Sequence, residues 1–411
     1  MTAGRTVARV LIAHNPVGCL DDPSTADVLA QVEMVESALA ALGVPATRLA
    51  VAGWRVWDDV AAAAPEPGAV IFNLVEAPPG LPSVHPATAA ALEALGLPFS
   101  GASAACLWLT TDKLATRAVL AAAGLPVAPG GRLEVCDKGD EGDASVLDRV
   151  QPPWILKPCR EEASLGLEGD SVCASRDAAL RRAAELRRRF PGQAVVVERF
   201  LPGRELNVSL LATPDGAAAA LPVAEIEFVD FPPEMPRIVG YEAKWLPESF
   251  AYSHTVRRFP RHPANPANPA DPAGDRLLDR VRQLALDAWN VCGLEGYGRV
   301  DLRLDEHGAP HILEVNANPC LAADAGFMAA AGEAGLSPAQ VVGRILAAAV
   351  LRRSRRSRRS GRSDRGPRRG AVGAGAPDRG GAAWAAAAAG AVAGAGAADS
   401  PQPGARRRAA G

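Results

Sequence analysis

The stretch HILEVNANPC, His311 to Cys320, starts as a buried strand and then breaks its own pattern. Ile312, Leu313 and Val315 suit a core strand, yet Glu314 and Asn316 interrupt them with a carboxylate and a carboxamide. Residues two apart on a strand point to the same face, so these side chains present oxygen donors side by side. The preceding run, GYGRVDLRL, carries Asp301 and leads into a turn at Asp305 to Ala309, which predicts an antiparallel pair with three converging oxygen donors. Such a set is what Mg²⁺ takes, completed by waters and phosphate oxygens. The same residues also read as an Arg299–Glu314 cross-strand ion pair without metal.

Upstream lie groups suited to phosphates. Lys113 opens a helix, Lys157 ends the apolar strand WILKP, and the loop CREEASLGLEG follows with Ser164 and Gly166. The chain has neither G-x-x-x-x-G-K-[ST] nor G-x-G-x-x-G, so a P-loop and a dinucleotide fingerprint are both excluded. A lone lysine is ordinarily a surface charge, but Lys157 closes a buried strand. In VVVERFLPGREL, Glu198 follows a buried strand and Glu205 lies past a Pro-Gly turn. Carboxylates so placed can accept hydrogen bonds from an adenine amino group and from ribose hydroxyls, or simply be exposed turn acids.

The organisation along the chain supports an α/β domain followed by α+β regions. Strand VARVLIAH (Val7 to His14), a helix from Ala26 to Leu42, strand AVIFNLVE (Ala69 to Glu76) and a helix from Ala87 to Gly96 alternate as in a parallel sheet flanked by helices. A helix from Asp112 to Gly124 and an acidic loop, CDKGDEGDASVLDRVQPP, lead into a region richer in strands. There we expect strands at Trp154 to Pro158, Ala194 to Phe200, Glu205 to Ala212 and Ala220 to Val229, with a helix from Arg176 to Arg189. RHPANPANPADPAGD is too proline-rich for an element and reads as a surface loop. A helix (Arg276 to Cys292), the strand pair and two short helices (Ala325 to Ala334, Pro338 to Leu351) close the body. The expected units are therefore an N-terminal α/β domain over 1–110, a two-part α+β region over 111–352 and a tail over 353–411.

The 411 residues carry a net charge of −2, but from Leu351 onward 14 Arg face 3 Asp, a net of +11 that leaves −13 on the first 350 residues. The tail, rich in Arg, Ala and Gly, cannot bury enough apolar surface to offset chain entropy and reads as disordered. Its arginines could bind nucleic acid by charge alone, but the plain reading is a solvated tail without a nucleic-acid partner. Seven scattered cysteines without C-x-x-C spacing argue against a disulfide framework or structural zinc and fit a cytoplasmic setting. No signal peptide is legible at the N-terminus, and the body has no apolar run of membrane-spanning length.

Taken in order, Lys113, ILKP with SLG, VERFLPGRE, YEAKW, GRVD and EVNANP resemble the ATP-grasp superfamily, in particular D-alanine–D-alanine ligase, over roughly Val70 to Leu351. The resemblance implies an ATP-grasp fold in which two α+β subdomains hold ATP beside the N-terminal α/β domain. It implies that Lys113, Lys157, Ser164 and Gly166 meet the phosphates, Glu198 the adenine and Glu205 the ribose. Lys244 would also face the phosphates, and Asp301, Glu314 and Asn316 would hold two Mg²⁺, or Mn²⁺ in their place. Arg299 and the backbone N–H of Cys320 would steady a tetrahedral intermediate. The activity implied is ATP-dependent peptide-bond formation between amino acids through an acyl phosphate, as in peptidoglycan precursor synthesis, by a homodimer.

The chain departs from the family at the amino-acid end. AHNPVGCLDDPST replaces a glycine-rich stretch with its substrate-binding serine and glutamate, Cys320 stands for a glycine, and Ala325 lies near the place of a carboxylate-binding serine. In the phosphate loop, Glu162 and Ala163 stand for glycine and serine. A ligase for another carboxylate and amine, and an ATP-binding protein without catalysis, therefore stay open beside the dipeptide ligase.

Overall fold

A computed structural model describes residues 7–16, 23–52, 55–63, 65–78, 80–134, 143–213, 215–260 and 272–363. Residues 136–142 of the expected acidic loop, 261–271 of the Pro-Ala-Asn loop and the tail beyond residue 363 lie outside these. The rest of the acidic stretch carries a short helix at Val146–Arg149 where a loop was expected, and the last four residues of the Pro-Ala-Asn stretch open the helix Pro272–Cys292. The described residues up to Arg359 belong to one compact unit.

The apolar run at the N-terminus forms β1 (Arg9–His14), with only its first residue not buried. It pairs in parallel with β2 (Ala46–Ala50) on one side and β3 (Ala69–Leu74) on the other. Helices α1 (Pro23–Ala41) and α2 (Val56–Ala62) make the crossovers that a parallel sheet requires, and α3 (Val84–Ala94) follows β3. Helix α4 (Ala104–Thr111) follows, N-capped by Ser103, which accepts from the Cys106 N–H at 3.3 Å. Asp112 then caps α5 (Lys113–Ala122) through the Ala115 N–H at 3.0 Å, and this fixes Lys113 as the first helical residue.

Two antiparallel sheets follow. The smaller has the order β4 (Gly130–Leu133), β7 (Val195–Arg199), β5 (Trp154–Pro158), β6 (Val172–Cys173) and is backed by α6 (Val146–Arg149) and α7 (Arg176–Arg189). Its core, around Leu156, Leu186 and Val197, is separate from the rest. The larger sheet runs β11 (Thr255–Arg258), β10 (Ala224–Phe228), β8 (Glu205–Ala212), β12 (Tyr297–Leu304), β13 (Pro310–Asn316), with β9 (Ala218–Ala220) added to β8. Short helices α8 (Tyr241–Trp245) and α9 (Phe250–His254) precede β11, and α10 (Pro272–Cys292) packs on the larger sheet. Helices α11 (Gly326–Glu333) and α12 (Pro338–Ser363) close the chain. Leu206, Val300 and Val315 of the larger sheet share a core with Leu11 and Ile71 of the parallel one. The parallel and larger sheets thus form one support, and the smaller sheet has a core of its own.

This is the mixed α/β and α+β architecture expected from the sequence. Some elements differ. The run Ala220–Val229 is not one strand: Pro222 lacks the N–H a continuous ladder needs, and pairing resumes only at Ala224. β2, α2 and α4 had no legible pattern. The last helix does not stop at Leu351 but continues to Ser363, so residues 353–363 are helical where disorder was expected. Arg352 anchors that helix by donating to Gly101 O at 2.7 Å, pairing with Glu295 at 3.0 Å and lying 3.9 Å over the Phe99 ring. Among the described residues no single helix is long and apolar enough to cross a membrane.

Candidate functional site

The strand pair that carries the oxygen donors forms as expected. In the β12–β13 register Asp301 lies opposite Glu314 and Arg299 opposite Asn316, and a bulge after Asp301 leaves Leu313 without a partner. Directly opposed residues share a face, so the four side chains line one surface. The cross-strand ion pair is corrected, however. Arg299 grips Asp301 on its own strand, Nε to Oδ1 at 2.7 Å and NH2 to Oδ2 at 2.8 Å, and not Glu314. A two-pronged guanidinium matches a carboxylate two residues along the same strand face.

Asp301 also accepts from Asn207 Nδ2 at 2.8 Å. Asn207 sits opposite Asp301 on β8, and no motif in the sequence marks it. Among the described residues no cluster of three or more His, Cys, Asp and Glu is poised to hold a metal. The candidate donors are thus two carboxylates and the carboxamide of Asn316, whose Oδ1 accepts from the Asn318 N–H at 2.9 Å. These hard oxygen donors fit Mg²⁺, provided Arg299 releases an Asp301 oxygen and non-protein oxygens complete the shell.

Around Glu314 the structure gathers cations from both antiparallel sheets. Lys113 Nζ lies 3.6 Å from Glu314 Oε1 and donates to the Glu161 carbonyl. Burial would raise the Glu314 carboxyl, but the charges of Lys113, Lys157, Lys244 and Arg299 outweigh it and hold the group below its ordinary range. Lys244, on α8, is exposed by surface area yet set deep among protein atoms; desolvation and the neighbouring Arg299 push its ammonium down. Arg299 and Lys157 are paired with Asp301 and Glu198, which leaves Lys113 and Lys244 as the cations beside Glu314 available to a polyanion.

Lys157 and Glu198 are brought into contact: Nζ lies 2.7 Å from Oε2, and Arg117 NH1 reaches Oε1 at 3.2 Å. The lysine contact is a charge pair without a well-aligned hydrogen bond, because Glu198 Oε2 has no hydrogen-bond partner. Glu205 is no exposed turn acid either. It is buried against Arg303 NH1 at 3.0 Å, and burial pushes its carboxyl up against that guanidinium's pull.

The loop with Ser164 and Gly166 is held by the α8 segment. Ser164 Oγ donates to Val239 O at 2.8 Å, Trp245 Nε1 donates to Ala163 O at 2.8 Å, and the Tyr241 N–H donates to Leu167 O at 2.8 Å. Ala163 and Ser164 adopt left-handed φ values of 55° and 62°, a strained backbone that the contacts to α8 hold. Gly166, at φ 72°, is required by packing, since a Cβ would come within 2.7 Å of the Phe190 ring. Three hydrogen bonds thus tie the loop to the segment around α8.

Near Cys320, where the sequence left residues unmatched, separate elements come together. Gln31 on α1 donates to Glu76 Oε1 at 2.9 Å and accepts from the Leu321 N–H at 3.1 Å. Asp27, also on α1, accepts from the Cys320 thiol at 3.3 Å. Burial raises both acids, Glu76 to about 7. Burial also pushes the Cys320 thiol up, so it is a neutral donor and not a thiolate nucleophile. His85 is buried with neither ring nitrogen hydrogen-bonded, 3.9 Å from Glu162. The signal available in the sequence was Glu76 ending an apolar strand, the same kind of interruption that marks Glu314.

Two antiparallel sheets meeting over a cluster of cations and oxygen donors, beside an N-terminal parallel sheet, define an ATP-grasp protein. Residues 119–347 match the family described as D-ala D-ala ligase C-terminus, more than half of the chain, and the chain belongs to that family. The D-alanine–D-alanine ligase of Nitrosococcus oceani is 30% identical over 263 residues, 64% of this chain and 72% of that one. An uncharacterised protein of Sinorhizobium fredii is 28% identical over 279 residues, 67% of this chain and 73% of its own. Among solved structures, D-alanine–D-alanine ligase from Bacillus anthracis complexed with ATP superposes with a TM-score of 0.63 at 16% identity, covering 85% of this chain and 99% of that one.

Proposed function

We propose that the protein is an ATP-dependent carboxylate–amine ligase that joins two amino acids through an acyl phosphate, in the manner of D-alanine–D-alanine ligase. The observation that carries this is the set of four cations around Glu314, on the strand face it shares with Asp301 and Asn316. Family membership and the relatives' names support the reading, and the ATP complex of the Bacillus anthracis enzyme supports ATP as the phosphoryl donor.

In this reading a substrate carboxylate, a poor electrophile, attacks the γ-phosphorus of ATP. Lys113, Lys157 and Lys244 neutralise the charge on the transferring phosphoryl group, and Glu198 and Glu205 hold the adenine and ribose ends. Asp301, Glu314 and Asn316 would hold Mg²⁺, which supplies Lewis-acid stabilisation of phosphate oxygens. Arg299 and the Cys320 N–H stabilise the oxyanion formed when an amine attacks the activated carbonyl, and phosphate then leaves. The strained loop tied by Trp245 excludes water that would otherwise hydrolyse the acyl phosphate. Dipeptide synthesis for peptidoglycan, in the cytoplasm where ATP is available, is the role this activity would serve.

Purified protein with Mg²⁺-ATP and a panel of D- and L-amino acids tests the reading. ADP and dipeptide should form in equal amounts and only with certain amino acids. ADP release that ignores the amino acid and yields no dipeptide would refute it.

A further inference from the structure

Arg257 is a cation on the inner face of the larger sheet that the ligase chemistry above does not use. In the strand register Arg257 lies opposite Ile226, Ile226 opposite Glu205, and Glu205 opposite Arg303. Directly opposed antiparallel residues share a face. Arg257 therefore projects on the same side as Glu205, Asn207, Arg299 and Asp301. Its neighbour Arg258 faces the other way and pairs with Glu227.

The inner-face arginines differ in their partners. Arg299 is neutralised by Asp301 and Arg303 by Glu205, whereas Arg257 has no acidic partner among the described residues. Its guanidinium is nonetheless positioned: NH2 donates to the Asp324 carbonyl at 3.0 Å, and NH1 lies 3.7 Å from where a Cβ on Gly326 would stand. The guanidinium thus lies beside the backbone on either side of Ala325, which has no polar atom in its side chain. An exposed guanidinium with most of its five N–H donors uncommitted is matched in geometry by a carboxylate, which it can grip with two parallel hydrogen bonds.

We propose that Arg257 binds the free carboxylate of the amine substrate, so that acceptors must be amino acids or peptides with an unblocked carboxyl group. This rests on the ligase reading. Arg257 does not touch the transferring phosphoryl group, so it sets acceptor specificity and leaves phosphoryl transfer alone.

The test uses the full chain and the acceptor that supports dipeptide formation, offered as the free acid and as its primary amide. The wild type should show a KM for the acid about tenfold or more below that for the amide, the effect of one charge-assisted contact. Arg257→Ala should raise the KM for the acid about tenfold, leave that for the amide and for ATP unchanged, and so abolish the preference. Arg257→Lys should keep part of it, and Arg258→Ala should behave as wild type. Equal KM values for acid and amide in the wild type, an equal loss on both in Arg257→Ala, or a raised KM for ATP would overturn the assignment. If no amino acid yields a dipeptide with the wild type, the ligase reading falls and the assignment with it.

Discussion

Replacing Glu76 with glutamine should make the protein more stable at neutral and alkaline pH, an unusual outcome for a residue in a candidate site. Glu76 is enclosed beside Asp27 and Glu162, with Gln31 donating to it and His85 nearby, and burial raises its carboxyl from the ordinary 4.5 to about 7. A raised carboxyl means that the folded state binds the proton more tightly than the unfolded state. The stabilisation is complete below pH 4.5 and is lost as pH rises through about 7. At about 1.4 kcal/mol per pH unit, the loss across that window approaches about 3 kcal/mol. Glu76→Gln keeps an oxygen to accept from Gln31 and removes the ionisation. Urea unfolding of both proteins from pH 4.5 to 8 should therefore show curves that diverge upward in pH, with the variant ahead by up to about 3 kcal/mol at pH 8. Parallel curves, or a variant less stable at pH 8, would refute the burial argument.

Three further outcomes are expected. Glu314→Gln should lower amino-acid-dependent ADP release about 100-fold or more, the loss of about 3 kcal/mol of transition-state stabilisation, with little change in thermal midpoint; retained turnover would remove Glu314 from the chemistry. Lys157→Met strands the buried Glu198 with Arg117 alone and should cost about 3 kcal/mol of stability in urea unfolding, most of which Glu198→Gln in the same chain should restore. Trp245→Phe removes the hydrogen bond to Ala163 O, worth about 1 kcal/mol, and should raise the ratio of ADP to dipeptide about fivefold as water enters.

Elements with local signals were legible. Helix α7 begins and ends where the sequence puts it because Ser175 caps it and Pro191 and Gly192 follow, and β5 and β8 match because turn residues bound their apolar runs. The oxygen donors were legible because polar residues interrupt a buried strand at a spacing of two. What local signals cannot supply is the partner. Arg299 could face Glu314 across the pair or Asp301 along the strand, and only the formed β12–β13 pair decides it. Asn207 looks like one polar residue in an apolar strand until register sets it against Asp301. Asp27, Gln31 and Glu76 come from α1 and the end of β3 and meet residues 320–321 only in the folded chain.

The central claim is that a substrate carboxylate becomes an acyl phosphate before the amine attacks. It is tested most directly by supplying the donor amino acid with oxygen-18 in its carboxylate, together with the acceptor and Mg²⁺-ATP, and analysing the phosphate released. Attack on the γ-phosphorus must carry one labelled oxygen into each phosphate formed. Label found in AMP, or phosphate without label while dipeptide accumulates, would contradict the account.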